Sequence, residues 1–219
     1  MTELSDYFKA TNAAYDTLIK YKVFSFPVNP TRIIQQLDCV ALHTYYDLIE
    51  RRGFSRVSFL DFFASSEFGF TAKNKTHYII FYNEQKDQAI IRFTLAHELG
   101  HVILGHTVDG DKENKEANCF ARNLLCPIPV ITEMGLHAEV QYVKAFNVSE
   151  RMARCAIKHK DSDYYYITRD RYITYNSKLP YENTITTTTF SDISYQTACT
   201  TFLPGLCPVT RVFPYPIPF

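Results

Sequence analysis

One segment near the middle of the chain restricts its fold more than any other. Residues 88–104 are apolar on nearly every side, the pattern of a buried helix, and Gly105 follows as a left-handed terminator. Inside this segment lies His97-Glu98-Leu99-Gly100-His101. Two imidazoles and a carboxylate in a buried helix cost several kcal/mol unless something offsets their desolvation. A divalent cation offsets it directly, so the segment predicts a buried helix built around a metal ion.

The spacing of the two histidines suits tetrahedral zinc. An α-helix advances ~100° per residue, so residues four apart share a face, and His97 and His101 point toward one spot. Glu98 reaches the same region at another angle, and it suits a general base that takes a proton from a water held by Zn²⁺. The alternative is a helix whose histidines merely bond to carbonyls of the core.

A catalytic zinc site needs a third protein ligand and one open position. Three candidates follow the motif. His106 lies five residues after His101, whereas zinc proteases with three histidine ligands use six. Glu113 and Glu116 lie on the next predicted helix, where Glu116 falls on the apolar stripe and Glu113 lies nearer the exposed end. The pattern favours Glu116, with a salt bridge as the alternative for either carboxylate.

Hydrophobic periodicity predicts an α+β fold that is mainly helical and has a small β-sheet. We divide the chain into a domain over residues 1–160 and an extension over residues 161–219, which begins β-like and becomes Thr- and Pro-rich. Helices are predicted at residues 3–22, 30–37, 46–52, 88–104, 112–125, 136–145 and 149–159, and strands at residues 40–45, 68–72, 77–82 and 164–175.

Charge and hydropathy exclude several classes of protein. Lys plus Arg and Asp plus Glu each number 23, so the net charge is zero. This balance argues against a dedicated nucleic-acid binder and against a polybasic membrane anchor. The N-terminus lacks the pattern of a signal peptide, and no apolar run approaches the ~20 residues of a membrane span. We therefore expect a cytoplasmic protein that is not associated with a membrane.

Two readings other than an enzyme remain open. Residues 139–157 have the pattern of a DNA-reading helix pair, with Arg151 and Arg154 available to phosphates. The simpler interpretation is a helix pair packed behind the metal helices. The second alternative is a zinc-stabilised scaffold, which needs the histidine ligands but not Glu98.

Two motifs together resemble the ImmA/IrrE family of metallo-endopeptidases. Residues 92–105 read RFTLAHELGHVILG, and residues 116–127 bring Glu-Ala-Asn, Phe-Ala and Leu-Leu-Cys-Pro at the family's spacing. The resemblance implies a zincin-like metalloprotease core in which His97 and His101 bind Zn²⁺, Glu98 is the base and Glu116 is the third ligand. Cys126 stands where the family usually has another apolar residue.

The resemblance also implies a substrate class. Family members are typically encoded in mobile elements, prophages or stress-response loci, and they cleave or inactivate a partner helix-turn-helix repressor. We therefore expect a zinc-dependent endopeptidase that acts on such a repressor and does not itself bind nucleic acid. The Thr- and Pro-rich end of the chain matches nothing in the family.

Overall fold

The computed structural model describes residues 5–52, 66–73 and 76–180, and it has the predicted α+β, mainly helical architecture. No helix in these ranges is both long enough and apolar enough to cross a bilayer. The helices are α1 (Tyr7–Lys20), α2 (Pro30–Ile34), α3 (Tyr45–Arg52), α4 (Gln88–Leu104), α5 (Asp111–Leu125), α6 (Ile128–Glu133), α7 (Glu139–Phe146), α8 (Glu150–Tyr166) and α9 (Arg169–Asn176), and the strands are β1 (Val40–Thr44), β2 (Gly69–Lys73) and β3 (Tyr78–Tyr82).

The three strands form a mixed sheet in the order β1-β3-β2. β1 runs parallel to β3, and β2 runs antiparallel to it. The sheet packs on α4 through β2 and β3. A Cβ atom on Gly69 would lie 2.5 Å from Cγ2 of Thr94 and 2.8 Å from the carbonyl oxygen of Phe81. Glycine at the start of β2 therefore lets this strand approach α4 closely.

α4 lies between the sheet and α5, and it is buried along most of its length. A Cβ atom on Gly100 would lie 3.1 Å from Cδ1 of Phe120 and 3.2 Å from Cα of Ala117, so α4 and α5 are in close contact at this residue. The helix ends as predicted at Gly105, whose φ of 74° is left-handed and favours glycine. α5 in turn packs against α1 on a second side.

A buried ion pair joins α5 to α8. The guanidinium of Arg122 donates from Nε to Oδ2 of Asp163 at 2.5 Å and from Nη2 to Oδ1 at 2.7 Å. The two side chains are 9% and 3% exposed. Since both charges are buried and neutralise each other, the pair fixes how these two helices meet.

The prediction of β-like structure at residues 164–175 is wrong. α8 continues to Tyr166 and α9 follows from Arg169. Tyrosine favours strands by propensity, but tertiary contacts decide here: Asp163 is held by Arg122, and Asn12 accepts the backbone N–H of Thr168 at 3.0 Å.

The predicted domain boundary after residue 160 falls inside α8, and the described residues up to Leu179 form one compact unit. Residues 74–75, which lie between the second and third predicted strands, and the extension from residue 181 lie outside the described residues.

Candidate metal centre

The structure brings His97 and His101 together on one face of α4. Their Nε2 atoms are 3.1 Å apart. Two nitrogen ligands of a tetrahedral zinc ion, each ~2.0–2.1 Å from the metal, are separated by about 3.3 Å. The donor atoms therefore already lie near the separation that a shared cation requires.

Two asparagines on α5 contact His97 from the facing helix. Asn118 Oδ1 lies 2.9 Å from Nδ1 of His97, and Asn114 Oδ1 lies 3.2 Å from its Nε2. The amide of Asn114 is itself oriented, because its Nδ2 donates to Oδ1 of Asp109 at 2.6 Å and to the carbonyl of Gly110 at 3.0 Å. Its oxygen is thereby directed at the histidine.

A chain of hydrogen-bonding groups approaches His101 from the other side. Nδ1 of His101 lies 3.1 Å from Nδ1 of His106, and Nε2 of His106 lies 3.0 Å from Oε2 of Glu116. Oε1 of Glu116 accepts the backbone N–H of Asp6 at 2.7 Å. The side chains of His106 and Glu116 are 8% and 5% exposed, so this relay is shielded from water.

The partners assign the ring protons. Burial lowers the pKa of His97, and burial together with the charges of His97 and His106 lowers the pKa of His101 to about 4. Where Nε2–H of His106 donates to Glu116 and Nδ1 of His106 carries no proton, that Nδ1 accepts from Nδ1–H of His101. Nε2 of His101 then carries a lone pair, as does Nε2 of His97, whose Nδ1–H faces Asn118. Lone pairs from both rings and from Asn114 thus face one another, an arrangement that a bound cation satisfies.

Glu98 follows His97 in α4, and its carboxylate is held by the sheet. Oγ1 of Thr71, on β2, donates to Oε2 of Glu98 at 2.7 Å. Burial raises the pKa of Glu98 to about 7, the hydrogen bond from Thr71 lowers it in part, and the charge of Asp109 raises it further. A carboxyl group with such a pKa both accepts and releases a proton near neutral pH, as a general acid–base group must.

The predicted third ligand, Glu116, is buried as its place on the apolar stripe predicted, with 4% of its surface exposed. Both its oxygens are engaged by Asp6 and His106, however, on the side of α5 that faces α1. Across the described ranges, no three His, Cys, Asp or Glu side chains are arranged to hold a metal ion. The carboxylate of Glu113 lies over Gly110 at the start of α5. The assignment of Glu116 as a ligand stays a prediction.

Sequence reasoning missed four residues of this site. Thr71 and Asp109 lie outside any motif and are recognisable only from the fold. Asn114 and Asn118 had a signal, since they are four residues apart on α5 and so share one face of that helix. This face meets α4 through Ala117, which is in close contact with Gly100.

The helix pair that suggested DNA binding is present as α7 and α8, joined through Asn147, which has a left-handed φ of 49°. Of its basic residues, Arg154 donates to Glu139 at 3.0 Å and lies 3.8 Å from Glu150. The charge that the DNA-binding reading assigned to phosphates is thus shared with carboxylates at this residue.

The fold is α+β and mainly helical, and its buried helix α4 carries two histidines and a glutamate next to a small sheet. Residues 55–158 match the M78 peptidase family model described as an IrrE N-terminal-like domain, so this region of the chain is similar to the ImmA/IrrE family. This similarity indicates a peptidase, a hydrolase of the metallopeptidase type. No curated protein significantly matches the chain.

Proposed function

We propose that the protein is a zinc-dependent endopeptidase in which His97 and His101 hold the metal and Glu98 is the general base. The observation that carries the proposal is the pair of Nε2 atoms 3.1 Å apart on a helix that also carries the buried carboxylate of Glu98. The donor set fits zinc, for which neutral imidazole is a preferred ligand. A zinc ion there would lower the pKa of a bound water and polarise the scissile carbonyl.

Proton transfer is assigned to the side chain of Glu98. The hydrogen bond from Thr71 fixes Oε2 of Glu98, so we assign Oε1 to proton transfer. Glu98 takes the proton of the attacking water at this atom and passes it to the amine that leaves when the peptide bond breaks. Burial raises the pKa of Glu98 to about 7, which suits both the uptake and the release of a proton.

We infer that an extended segment of substrate binds along β2. This strand is the outer one of the three described strands on the side of Glu98, and Thr71 joins it to that residue. An extended peptide pairs with a sheet edge through main-chain hydrogen bonds, which tolerate many side chains. From the resemblance to the ImmA/IrrE family, we propose that the substrate is a helix-turn-helix repressor of a mobile element or stress locus and that the reaction takes place in the cytoplasm.

Metal content tests the first half of the proposal. Purified wild type is expected to carry about one zinc per chain by elemental analysis, and His97→Ala and His101→Ala are expected to carry none. His137→Ala, an exposed histidine before α7, is the matched control and should keep the metal. Wild type that holds no zinc after careful purification, and that zinc does not stabilise against heat, contradicts the proposal.

Glu98→Gln tests the second half. The amide keeps the size of the side chain but takes no proton from water, so cleavage of the helix-turn-helix repressor proposed as substrate should slow by at least ~10²-fold. Zinc content and repressor binding should stay unchanged. Glu113→Gln, which removes a carboxylate from the start of α5, is the control and should cleave like wild type. Repressor fragments are followed on gels, and repressor binding by co-purification.

The same variant separates an enzyme from a scaffold. A protein that only sequesters the repressor needs its metal ligands but no base. If Glu98→Gln relieves repression as well as wild type does, and neither form yields repressor fragments, the endopeptidase proposal fails and a zinc-stabilised binding protein remains.

A further inference from the structure

Asp109, in the loop between α4 and α5, holds a carboxylate close to the metal centre. Its Oδ1 accepts from Nδ2 of Asn114 at 2.6 Å, and Oδ1 of Asn114 lies 3.2 Å from Nε2 of His97. One side-chain amide therefore separates this carboxylate from the histidine pair. Burial has the largest effect on the pKa values of His97, His101 and Glu98, and the negative charge of Asp109 acts on all three of them.

The charge of Asp109 has no cation beside it. The residue is exposed, and within the described ranges no Lys or Arg forms an ion pair with it and no group donates to its Oδ2. The neighbouring Asp111 differs, because it is paired with Lys115. The hydrogen bond from Asn114 holds the carboxylate of Asp109 in place, so its second oxygen is already positioned for a donor from another molecule.

The place of Asp109 indicates which part of a substrate it meets. Thr71 of β2 donates to Glu98, so this strand borders the centre on one side, and α5 borders it on the other through the contact of Asn114 with His97. Side chains of an extended peptide alternate between the two faces of the sheet that it joins. Of the two residues at the scissile bond of a peptide paired with β2, one therefore directs its side chain past the histidines, toward the start of α5 and Asp109.

We propose that Asp109 is a specificity-determining residue that accepts a cationic side chain next to the scissile bond, so that the substrates carry Arg or Lys at this position. The inference rests on the proposed function, since it names the substrate class of the same centre. Arg is the better fit, because a planar guanidinium donates two parallel hydrogen bonds to a carboxylate, whereas an ammonium acts as a point charge.

The same carboxylate discriminates in two ways. A basic side chain near a bound divalent cation is repelled by it, and the negative charge of Asp109 offsets this repulsion. An acidic side chain at the same place meets a like charge instead, and repulsion of the wrong partner adds to specificity. Both effects favour a basic substrate residue over an acidic one.

Peptide binding tests the inference without requiring cleavage. The full-length Glu98→Gln chain is loaded with Zn²⁺, and fluorescence anisotropy follows the binding of fluorescein-labelled Ala-Ala-Leu-Arg-Ala-Ala and of the same peptide with Glu in place of Arg. The Arg peptide should bind at least ~10-fold more tightly, as expected for a hydrogen bond between charged groups. In this background Asp109→Asn should remove the preference and Asp109→Lys should reverse it. Asp111→Lys, the same change of charge two residues further on, is the matched control and should keep it.

Reversal of charge distinguishes recognition of the peptide from support of the metal. If Asp109 acted only on the metal, Asp109→Lys would lower the zinc content and weaken both peptides alike, without reversing their order. Zinc content by elemental analysis and thermal unfolding are therefore measured for each variant. High salt should reduce the preference for the Arg peptide, because the charge of Asp109 is exposed and is screened by ions.

Cleavage of the two peptides by wild type, followed by mass spectrometry, separates this inference from the proposed function. If the preference for Arg depends on Asp109 but wild type cuts neither peptide nor the repressor, the endopeptidase proposal fails while Asp109 remains the determinant of peptide binding. If wild type cuts both peptides equally well, or if Asp109→Lys keeps the preference for Arg, the inference is overturned while the endopeptidase proposal stands. Failure of both peptides to bind also overturns the inference.

Discussion

Replacement of Gly100 by alanine tests how closely α4 and α5 must approach for the centre to form. The new Cβ would lie 3.1 Å from Cδ1 of Phe120, 3.2 Å from Cα of Ala117 and 3.3 Å from its carbonyl oxygen. Ordinary contacts of this kind are 3.4–4 Å. Two of the three neighbouring atoms belong to the backbone of α5, so they give way only if the helices separate by a few tenths of an ångström.

The expected change in the free energy of unfolding is the difference between two opposing effects. Overpacking of a core by one methyl costs ~1–3 kcal/mol, and alanine in place of glycine inside a helix contributes up to ~1 kcal/mol in return. We expect a net loss of about 1 kcal/mol, which lowers Tm by ~2–4 °C in a domain of this size. Gly100→Ser, with one atom more, should lose more than Gly100→Ala.

The same separation of α4 and α5 should also weaken metal binding. Nδ1 of His97 on α4 lies 2.9 Å from Oδ1 of Asn118 on α5, and a separation of the helices lengthens this hydrogen bond. Loss of such an outer partner weakens metal binding by ~10-fold or more. The assays are thermal unfolding of the metal-free chain and zinc titration. A rise in Tm with unchanged zinc affinity would refute the reasoning, because helix propensity would then be the only effect.

Three further predictions concern stability. Asp163→Asn leaves the buried cation of Arg122 unpaired and should cost ~3–5 kcal/mol in urea unfolding, whereas replacing both residues by leucine should cost much less. Ser149→Ala removes the cap that accepts the N–H of Met152 and should cost about 1 kcal/mol by the same assay. In the metal-free chain, burial raises the folded pKa of Glu98 to about 7 from its ordinary 4.5, so burying this charge costs stability above pH 7. That loss, about 3 kcal/mol, should be recovered as the pH falls from 7 toward 4.5, and Glu98→Gln should flatten the profile.

Much of the fold was predictable because its signals are local. α4 is marked by its apolar residues and by Gly105, and α2 by Asn29, whose side chain accepts the N–H of Thr31 as a cap does. The strands β2 and β3 follow from β-branched and aromatic residues. Residues 164–175 were not predictable in this way, since the run of tyrosines favours strand. Contacts with distant parts of the chain hold the segment helical, among them the ion pair of Arg171 with Asp16 and the hydrogen bond of Asn12 with Thr168.

The proximity of the two histidines was predictable because one helix supplies both. The spacing of His97 and His101 needs no knowledge of the neighbours, and the structure places their Nε2 atoms side by side. The residues on α5 were harder, because this helix is buried on two sides, against α4 and against α1. An apolar stripe shows that Glu116 is buried but not which neighbour it meets. Asn114 lacks charge and apolar surface, so nothing in its own chemistry singled it out.

The packing of α1 against α5 has a consequence for biosynthesis. Ala10, Ala14 and Leu18 on α1 are fully buried, yet α5 is complete only at Leu125, about a hundred residues later in the chain. At ~5–20 residues per second, a ribosome needs roughly 5–20 s to make that stretch. During this interval the apolar face of α1 leaves the ribosome before α5 has been made. The hydrogen bond from the backbone N–H of Asp6 to Glu116, 110 residues away, cannot form until then. Assembly of the metal centre is thereby a late event, and nascent chains are open to chaperones until it occurs.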